Sequence, residues 1–180
     1  MSAPITNRLH LAAATELLAQ TVPEAGPGTG AIPDMADLGE AIRVLLDVTA
    51  FRDTRVSLGG RFDVVISGRS HGAVTAMDEL QGGCGPVIDD VEAGWLYWLV
   101  PPRTTSRWDA HAHAVCLGAP HTLMLPSLDR TRPPGPYWLR PWGADRLVPS
   151  GPLREVLAEH RPEPAPHALL AARLGISRRA

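Results

Sequence analysis

Residues 95–102 read WLYWLVPP, and this stretch decides the fold. Aromatic and large apolar residues favour β-strands, and the two prolines that follow cannot continue a hydrogen-bonded ladder. The stretch therefore predicts a strand over residues 95–100, which its apolar character places at the centre of a sheet. Because side chains alternate along a strand, Trp95 and Trp98 fall on opposite faces, and at least one of them is a core residue.

Short segments of strand and helix surround this central stretch. A β-branched run predicts a strand over residues 61–66, a short helix follows over 72–80, and residues 86–88 form the next strand, an order typical of a βαβ-type layer. Further strands are predicted over residues 113–117, 122–125 and 137–140, the last at a sheet edge because prolines bound it. The expected fold class is α/β (α+β), with a mixed sheet of about five or six strands and helices packed on it.

The two ends of the chain flank this α/β domain, which we place at residues 60–160. Residues 1–59 form a predicted helical region, with helices over 6–22 and 34–50 and a Gly/Pro linker over 23–33. These two helices cannot bury their apolar stripes alone, so they dock either on the main fold or on another protein.

The carboxyl-terminal third closes with one more predicted helix. Ser150 can cap this helix, which stops before Pro162. Residues 161–180 follow as a Pro-rich linker and a short tail, with a tail helix expected over residues 168–174.

Composition limits the class of protein. The chain has 180 residues, of which 44% are apolar and 20% charged, a profile typical of a globular domain. Residues 1–90 hold 12 acidic residues and 6 arginines, whereas residues 91–180 hold 7 and 11. The net charge of -2 argues against a general nucleic-acid coat protein, although a local basic face in the second half stays open.

The sequence shows neither a candidate membrane span nor a signal-peptide pattern, so we expect a cytoplasmic protein. No stretch approaches the roughly 20 apolar residues that span a bilayer, and Arg8, His10 and Glu16 interrupt the first 20 positions. We therefore expect no membrane association. Cys84 and Cys116 are too few for a disulfide framework, so we expect buried free thiols.

Three groups of residues could carry chemistry. His111, His113 and Cys116 are residue types that bind zinc, but a strand would turn the cysteine to the opposite face from the histidines. We expect solvent-facing histidines, a buried cysteine and no metal site. The adjacent Ser70-His71 pair offers a nucleophile and a base, yet neighbouring residues rarely face each other, so a turn with a helix cap is favoured. A helix N-terminus there could still hold an anion.

The third group consists of two adjacent acidic pairs, Asp78-Glu79 and Asp89-Asp90. Carboxylates that converge on a metal from one strand lie at alternate positions, as in D-x-D, and neither pair has that spacing. We interpret both pairs as the polar ends of secondary-structure elements.

Tryptophan and arginine concentrate in one part of the sequence. All five tryptophans fall within residues 95–142, interleaved with arginines. This mixture is compatible with an ordinary core plus solvated arginines, with a protein interface, or with nucleotide binding by stacking and phosphate contacts. The candidate binding residues are Trp95, Arg103, Arg107, Trp108, Arg132, Trp138 and Arg140.

The order of motifs over residues 85–142 resembles a known family. The segments GPVI at 85–88, WLYWLVPP at 95–102, LMLPS at 123–127 and PGPYWL at 134–139 are similar to the later part of the bifunctional DNA primase/polymerase (prim-pol) domain. They look closer still to small actinobacterial proteins of uncharacterised function. The resemblance covers about a third of the chain and implies an α/β fold of the archaeo-eukaryotic primase type.

The catalytic pattern of the prim-pol family is not retained. That pattern has an acidic D-x-D/E pair, a histidine before the aromatic strand and a later aspartate. Here Trp95 stands at the histidine position, the later aspartate falls near Ala114 or Val115, and the acidic pair has no D-x-D counterpart. Nucleotidyl transfer needs carboxylates that hold divalent cations, so we predict neither polymerase nor primase activity and expect no catalytic residues and no cofactor.

These features favour a non-catalytic partner-binding protein with a degenerate prim-pol-like domain. It would be the accessory subunit of a heteromeric enzyme, for example in specialised metabolism, or a regulatory adaptor, in a hetero-complex or a homodimer. The alternative is a nucleotide or single-stranded nucleic-acid binder without polymerase activity, whose salt-sensitive binding would depend on Arg103 or Arg107. An independent enzyme that uses His71, His111 or Cys116 is the third class.

Overall fold

The computed structural model describes residues 52–81, 84–141 and 146–167. The strands are β1 (Thr54–Ser57), β2 (Asp63–Gly68), β3 (Val87–Asp90), β4 (Trp95–Val100), β5 (Ala114–Leu117), β6 (Thr122–Leu125) and β7 (Tyr137–Arg140). The helices are α1 (His71–Gln81) and α2 (Ser150–His160), with a 3-10 turn at Thr105–Arg107. The predicted helices over 6–22, 34–50 and 168–174 and the linker over 23–33 lie outside the described residues.

The main sheet of the described residues has five strands in the order β5-β2-β4-β3-β7. Strand β4 is central, because Trp98 pairs with Val65 of β2 on one side and with Val87 of β3 on the other. Strand β7 lies at one edge, beside β3. The sequence-based predictions of a central WLYWLV strand and of an edge strand at 137–140 are confirmed.

The prediction of a mixed sheet is wrong, since every neighbouring pair in this sheet is antiparallel. The β2-α1-β3 connection does return β3 in the direction of β2, as in a βαβ unit, but β4 lies between the two. A tight turn after β3 explains this, because Gly94, with φ of +77°, donates its N–H to the carbonyl of Asp90 at 2.9 Å. The turn folds β4 directly back onto β3.

A second, two-stranded sheet pairs β1 with β6, with Thr54 opposite Leu125. The strand predicted over residues 122–125 is confirmed. Its expected place in the main sheet is wrong. In the structure the chain leaves β5 after Leu117 and pairs β6 with β1, a strand that the sequence analysis did not predict. The fold is thus α+β, with one five-stranded and one two-stranded antiparallel sheet among the described residues.

The core of the described domain lies on both faces of the main sheet. One face carries Trp98, which packs with Met77 of α1 and Leu153 of α2. The opposite face carries Trp95, which belongs to the same apolar cluster as residues of the two-stranded sheet. Both tryptophans are almost completely buried, at 2% exposure for Trp95 and 0% for Trp98. Their predicted placement on opposite faces is confirmed.

Burial of Trp98 leaves no unpaired indole N–H, because its Nε1 donates to Oγ of Ser67 at 2.9 Å. A buried donor without a partner would cost about 1–3 kcal/mol. The contact lies on the face of the sheet that the helices cover, and it joins β4 to β2.

Helix α2 and the segment after it differ from the prediction in one detail. Pro149 is the N-cap residue and no side chain caps the helix, so the predicted cap at Ser150 is wrong. The helix ends at His160, before Pro162 as predicted, and the N–H of its C-cap residue Arg161 donates to the carbonyl of Leu157. The residues that follow α2 pack on the fold. A Cβ added to Gly68 would lie only 2.7 Å from the backbone carbon of Glu163.

Neither helix of the described residues has the length and apolar character that a bilayer span requires.

Candidate functional site

Two of the seven candidate binding residues are core residues. Trp95 is 2% exposed and Trp138 is 1% exposed. The indole Nε1 of Trp138 donates to the carbonyl of Pro126 at 3.1 Å. Neither ring reaches the surface, so the structure removes both from the candidate binding surface. Sequence alone could not separate these rings from exposed ones, because burial depends on which strands pack over them.

Arg140 has a structural role. Its Nε lies 2.9 Å from Oδ2 of Asp78, and its Nη2 contacts the same oxygen. Asp78 also accepts the backbone N–H of Cys84 at 3.2 Å. The hydrogen bond from Arg140 lowers the pKa of Asp78, and the same bond raises the pKa of Arg140. The guanidinium therefore ties β7 to α1 rather than offering a free cation.

Trp108 is half-buried and already covered. The guanidinium carbon of Arg154 lies 5.6 Å from the centre of its ring, a cation–π geometry. Arg154 is fixed there because it donates to the carbonyls of Asp109 and Ala110 at 2.8 and 3.3 Å. The His111 ring centre lies 6.0 Å from the Trp108 ring. Trp108 is thus engaged by Arg154 and by the core cluster, and its ring is not freely exposed.

The remaining candidates are Arg103, Arg107 and Arg132, all exposed. Within the described part of the chain, none of the three forms an ion pair. Arg103 and Arg107 lie in the same short connection after β4, and Arg132 lies in the β6–β7 connection. Two of the three exposed guanidinium groups thus belong to one connection of the fold, and the third belongs to another.

The connection that carries Arg103 and Arg107 is anchored on a buried carboxylate. Oδ2 of Asp63 accepts both the backbone N–H and the hydroxyl of Thr105, at 2.8 and 2.7 Å. Asp63 is 1% exposed, and its other oxygen has no hydrogen-bond partner among the described residues. No local sequence pattern predicts this anchor, because 42 residues separate Asp63 from Thr105.

The histidine and cysteine group does not form a metal site. The described residues contain no cluster of three His, Cys, Asp or Glu side chains able to hold a metal ion. Nδ1 of His111 accepts the backbone N–H of His113, and burial, together with the charge of Arg154, lowers the pKa of His111. His111 is buried and His113 half-buried, so the expectation of solvent-facing histidines is wrong.

Both thiols are buried and free, as predicted. Burial raises the pKa of Cys84 and of Cys116 to about 12. Sγ of Cys116 lies 3.6 Å from Oγ1 of Thr105, beside the Asp63 anchor. Because the thiolate is the nucleophilic form, these cysteines are poorly suited to covalent chemistry at neutral pH.

Ser70 has the predicted capping role, since its Oγ accepts the backbone N–H of Ala73 at 3.2 Å. The interpretation of Asp89-Asp90 as a polar strand end is only half right. Asp89 is 0% exposed and forms an ion pair with Arg69. A carboxylate inside an otherwise apolar strand was the sequence signal for such a buried partner.

An open groove lies between α1 and α2, and no local sequence pattern predicts it. This groove has a volume of about 650 Å³. Its lining includes the small and apolar residues Gly72, Ala76, Leu80 and Val156 and the acidic residues Glu79 and Glu159. Leu80 is 61% exposed, although its spacing of three from the buried Met77 is typical of a core position.

The two helices meet closely at one end of this groove. A Cβ on Gly72 would lie 3.0 Å from Nδ1 of His160, so the first turn of α1 lies against the last turn of α2. The groove therefore presents two packed helices whose outer surface carries an apolar residue and two carboxylates. Such a surface can accept a further helix.

Comparison of the sequence with models of known protein families, with curated proteins and with solved structures finds no match.

Proposed function

We propose that this chain is a non-catalytic partner-binding protein, an accessory subunit or regulatory adaptor, and that it docks its partner in the α1–α2 groove. One observation carries the proposal: the groove leaves Leu80 61% exposed between two helices that pack on the sheet through their other faces. Large exposed apolar residues in a concave site are typical of binding surfaces.

The groove suits a helix as its occupant. The small residues Gly72 and Ala76 leave space along α1 for the side chains of a partner. Val156 adds apolar surface on α2. Side-chain ridges of a third helix can fill such a channel, as in other helix-in-groove complexes. Leu80 is 61% exposed, so its full burial in such a complex would contribute about 1–2 kcal/mol.

The charges at the groove indicate what kind of helix binds. Glu79 and Glu159 both line it, and His160 is the other titratable residue of the lining. Carboxylates at the rim favour a partner with arginine or lysine beside its apolar stripe, and they steer its approach. We therefore assign the groove to a basic amphipathic helix of another protein.

The state of the polar side chains supports a role without catalysis. Asp78 and Asp89 are engaged in ion pairs, and the thiols of Cys84 and Cys116 have raised pKa values. The resemblance to the prim-pol domain places the apolar Trp95 where that family has a histidine, and this also supports a domain that binds a partner without catalysing a reaction.

The test uses two synthetic amphipathic helices that share one apolar stripe and differ only in charge, one rich in arginine and one rich in glutamate. Binding to the full chain is measured by fluorescence anisotropy. We expect the arginine-rich helix to bind at least about tenfold more tightly, because each rim carboxylate attracts it. The substitutions Ala76→Arg and Glu159→Lys should weaken this binding by about tenfold or more.

The control variant is Met124→Arg, which adds the same charge at a residue that is 47% exposed on the two-stranded sheet. Equal binding of both helices, no binding, or equal loss in Met124→Arg would overturn the proposal. So would a homodimer that Ala76→Arg dissociates in sedimentation experiments, since the groove would then belong to a second copy of the chain.

Nucleotide or single-stranded nucleic-acid binding is the second candidate function. It is favoured by the two exposed, unpaired arginines of the β4–β5 connection within the described structure.

A further inference from the structure

The β4–β5 connection has an unusual backbone at its start. Arg103 has a φ of 64°, which places a non-glycine residue in the left-handed region. This conformation costs an L-residue free energy and persists only where surrounding contacts impose it. The side chain of Arg103 is exposed. The contacts that impose the conformation must therefore come from the backbone and from neighbouring residues.

Four hydrogen bonds close the turn around Arg103, one of them from the N–H of Thr104 to the carbonyl of Pro101 at 3.3 Å. The hydroxyl of Thr104 donates to the carbonyl of Pro101 at 2.6 Å, and the hydroxyl of Ser106 donates to the carbonyl of Arg103 at 2.8 Å. The N–H of Arg107 donates to the carbonyl of Thr104 at 2.9 Å. We call residues 103–107 the arginine turn.

The turn is also fixed to the main sheet. Thr105 donates twice to Oδ2 of Asp63 in β2, from its N–H and from its hydroxyl. Gly118 permits this contact, because a Cβ there would lie 2.6 Å from Oγ1 of Thr105 and 2.9 Å from Oδ1 of Asp63. The backbone of the arginine turn is therefore held in one conformation before any ligand arrives.

Two free cations project from this fixed backbone. Arg103 and Arg107 are both exposed, and neither forms an ion pair with another described residue. The carboxylate nearest the turn, Asp63, is 1% exposed and directs Oδ2 at Thr105. Asp109 lies two residues beyond Arg107 and is exposed.

We propose that the arginine turn is a second binding site, separate from the α1–α2 groove, and that it binds the phosphate group of a nucleotide or of single-stranded nucleic acid. Guanidinium groups match phosphate oxygens with paired N–H donors. Because the turn is already ordered, binding does not have to pay for ordering the backbone.

The neighbouring tryptophan limits what else this site can recognise. Trp108 directly follows Arg107, but Arg154 covers its ring. Base stacking therefore contributes little, and the site recognises phosphate rather than base identity. Binding of single strands should depend on salt with a slope of log K against log salt of about -1.4, as expected for two phosphate contacts. Different base sequences should bind equally.

The test measures binding of fluorescent oligo-dT to the full chain by anisotropy at several salt concentrations. We expect Arg103→Gly and Arg107→Gln each to reduce the slope to about -0.7, because each removes one phosphate contact. The substitution Arg103→Gly removes the charge and keeps a residue that tolerates a positive φ, so the turn stays folded. Circular dichroism verifies the fold of each variant.

Arg132→Gln is the matched control, because Arg132 is also exposed and lies in the β6–β7 connection. The proposal is overturned if Arg132→Gln weakens binding as much as Arg107→Gln, if binding does not respond to salt, or if oligo-dT and ADP both fail to bind. Competition by ADP assigns the site to nucleotides, and its failure while oligo-dT binds assigns the site to nucleic acid. The arginine turn shares no residue with the lining of the α1–α2 groove, so loss of oligo-dT binding and loss of helix binding are separate outcomes and the two proposals fail independently.

Discussion

Arg69 and Asp89 form a two-point ion pair across the main sheet, with Nε 2.8 Å from Oδ1 and Nη2 3.0 Å from Oδ2. Arg69 directly follows β2 and Asp89 lies in β3, two strands that β4 separates. The hydroxyl of Tyr137 in β7 donates to Oδ2 of the same carboxylate at 2.9 Å. Hydrogen bonding to Asp89 raises the pKa of Arg69. One buried carboxylate thus ties together three separate parts of the sheet.

Removal of this carboxylate should destabilise the fold. The Asp89 side chain is 0% exposed and that of Arg69 is 33% exposed. We expect Asp89→Ala to lower the free energy of unfolding by about 2–3 kcal/mol, below the usual cost of breaking a fully buried pair because Arg69 still reaches water. Urea denaturation measures the difference. Glu92→Ala, at an exposed position of the next turn, should change stability by less than about 0.5 kcal/mol, and equal effects would contradict the role of the pair.

Gly118, the residue after β5, lies against the arginine turn, and this contact predicts the effect of a single added methyl group. Gly118→Ala would place a Cβ 2.6 Å from Oγ1 of Thr105, so the turn or the strand must shift. We expect a loss of about 1–3 kcal/mol in thermal or urea unfolding. Gly60→Ala is the control, because no atom lies within 4 Å of its added Cβ. If Gly118→Ala were as stable as Gly60→Ala, the arginine turn would not be tightly packed against residue 118.

Both cysteines should be unreactive in the folded protein. Burial raises their pKa from 9.0 to about 12, which lowers the thiolate fraction at mildly alkaline pH by about a thousandfold. Alkylation by iodoacetamide, followed by mass spectrometry, should therefore be slower than that of a free thiol by at least that factor. Addition of urea above the unfolding midpoint should restore ordinary reactivity at Cys84 and Cys116. Rapid modification without urea would contradict the burial of these residues.

His111 should make stability depend on pH. Burial, and next the charge of Arg154, lowers its pKa, so the folded state favours the neutral ring. The unfolded chain binds the proton more readily, and stability is therefore lost as the pH falls below the ordinary histidine value near 6.5. The neighbouring histidines His113 and His167 lower the pKa of His111 further, by smaller amounts.

The variant His111→Asn isolates this contribution. An asparagine oxygen can accept the N–H of His113 in place of Nδ1, and it does not titrate. We expect the loss of unfolding free energy between about pH 7 and pH 5 to be smaller in the variant than in the original protein. Urea titrations at each pH measure it. An unchanged pH slope would show that protonation of His111 does not oppose folding.

The sequence located most of the local elements because short-range signals define them. The strand predicted over residues 61–66 is found at Asp63–Gly68, and the helix predicted over 72–80 is found at His71–Gln81. β-branched runs, glycine breaks and prolines act within a few residues, so they are visible without the fold. Strand β1 was missed because a four-residue strand in a polar context carries little such signal.

The candidate site could be predicted less well. Tryptophan and arginine were correctly seen to concentrate after residue 95, but their roles depend on partners far along the chain. Arg140 pairs with Asp78, 62 positions earlier in the sequence. Trp138 is buried in an apolar cluster that contains residues of both sheets. The groove beside Leu80 arises where α1 meets α2, and no local pattern shows such a junction.

Sequence alone determined the approximate positions of six of the seven described strands and of both described helices, that WLYWLV forms the central strand, and that its two tryptophans face opposite ways. These properties follow from the side-chain order within one element. Tertiary structure decided that the main sheet is antiparallel, that Arg69 meets Asp89, and that Arg103 and Arg107 stand free on a turn fixed by Asp63. These outcomes depend on which distant elements come into contact. Long-range packing, not residue type, determines which charged groups are paired and which reach water.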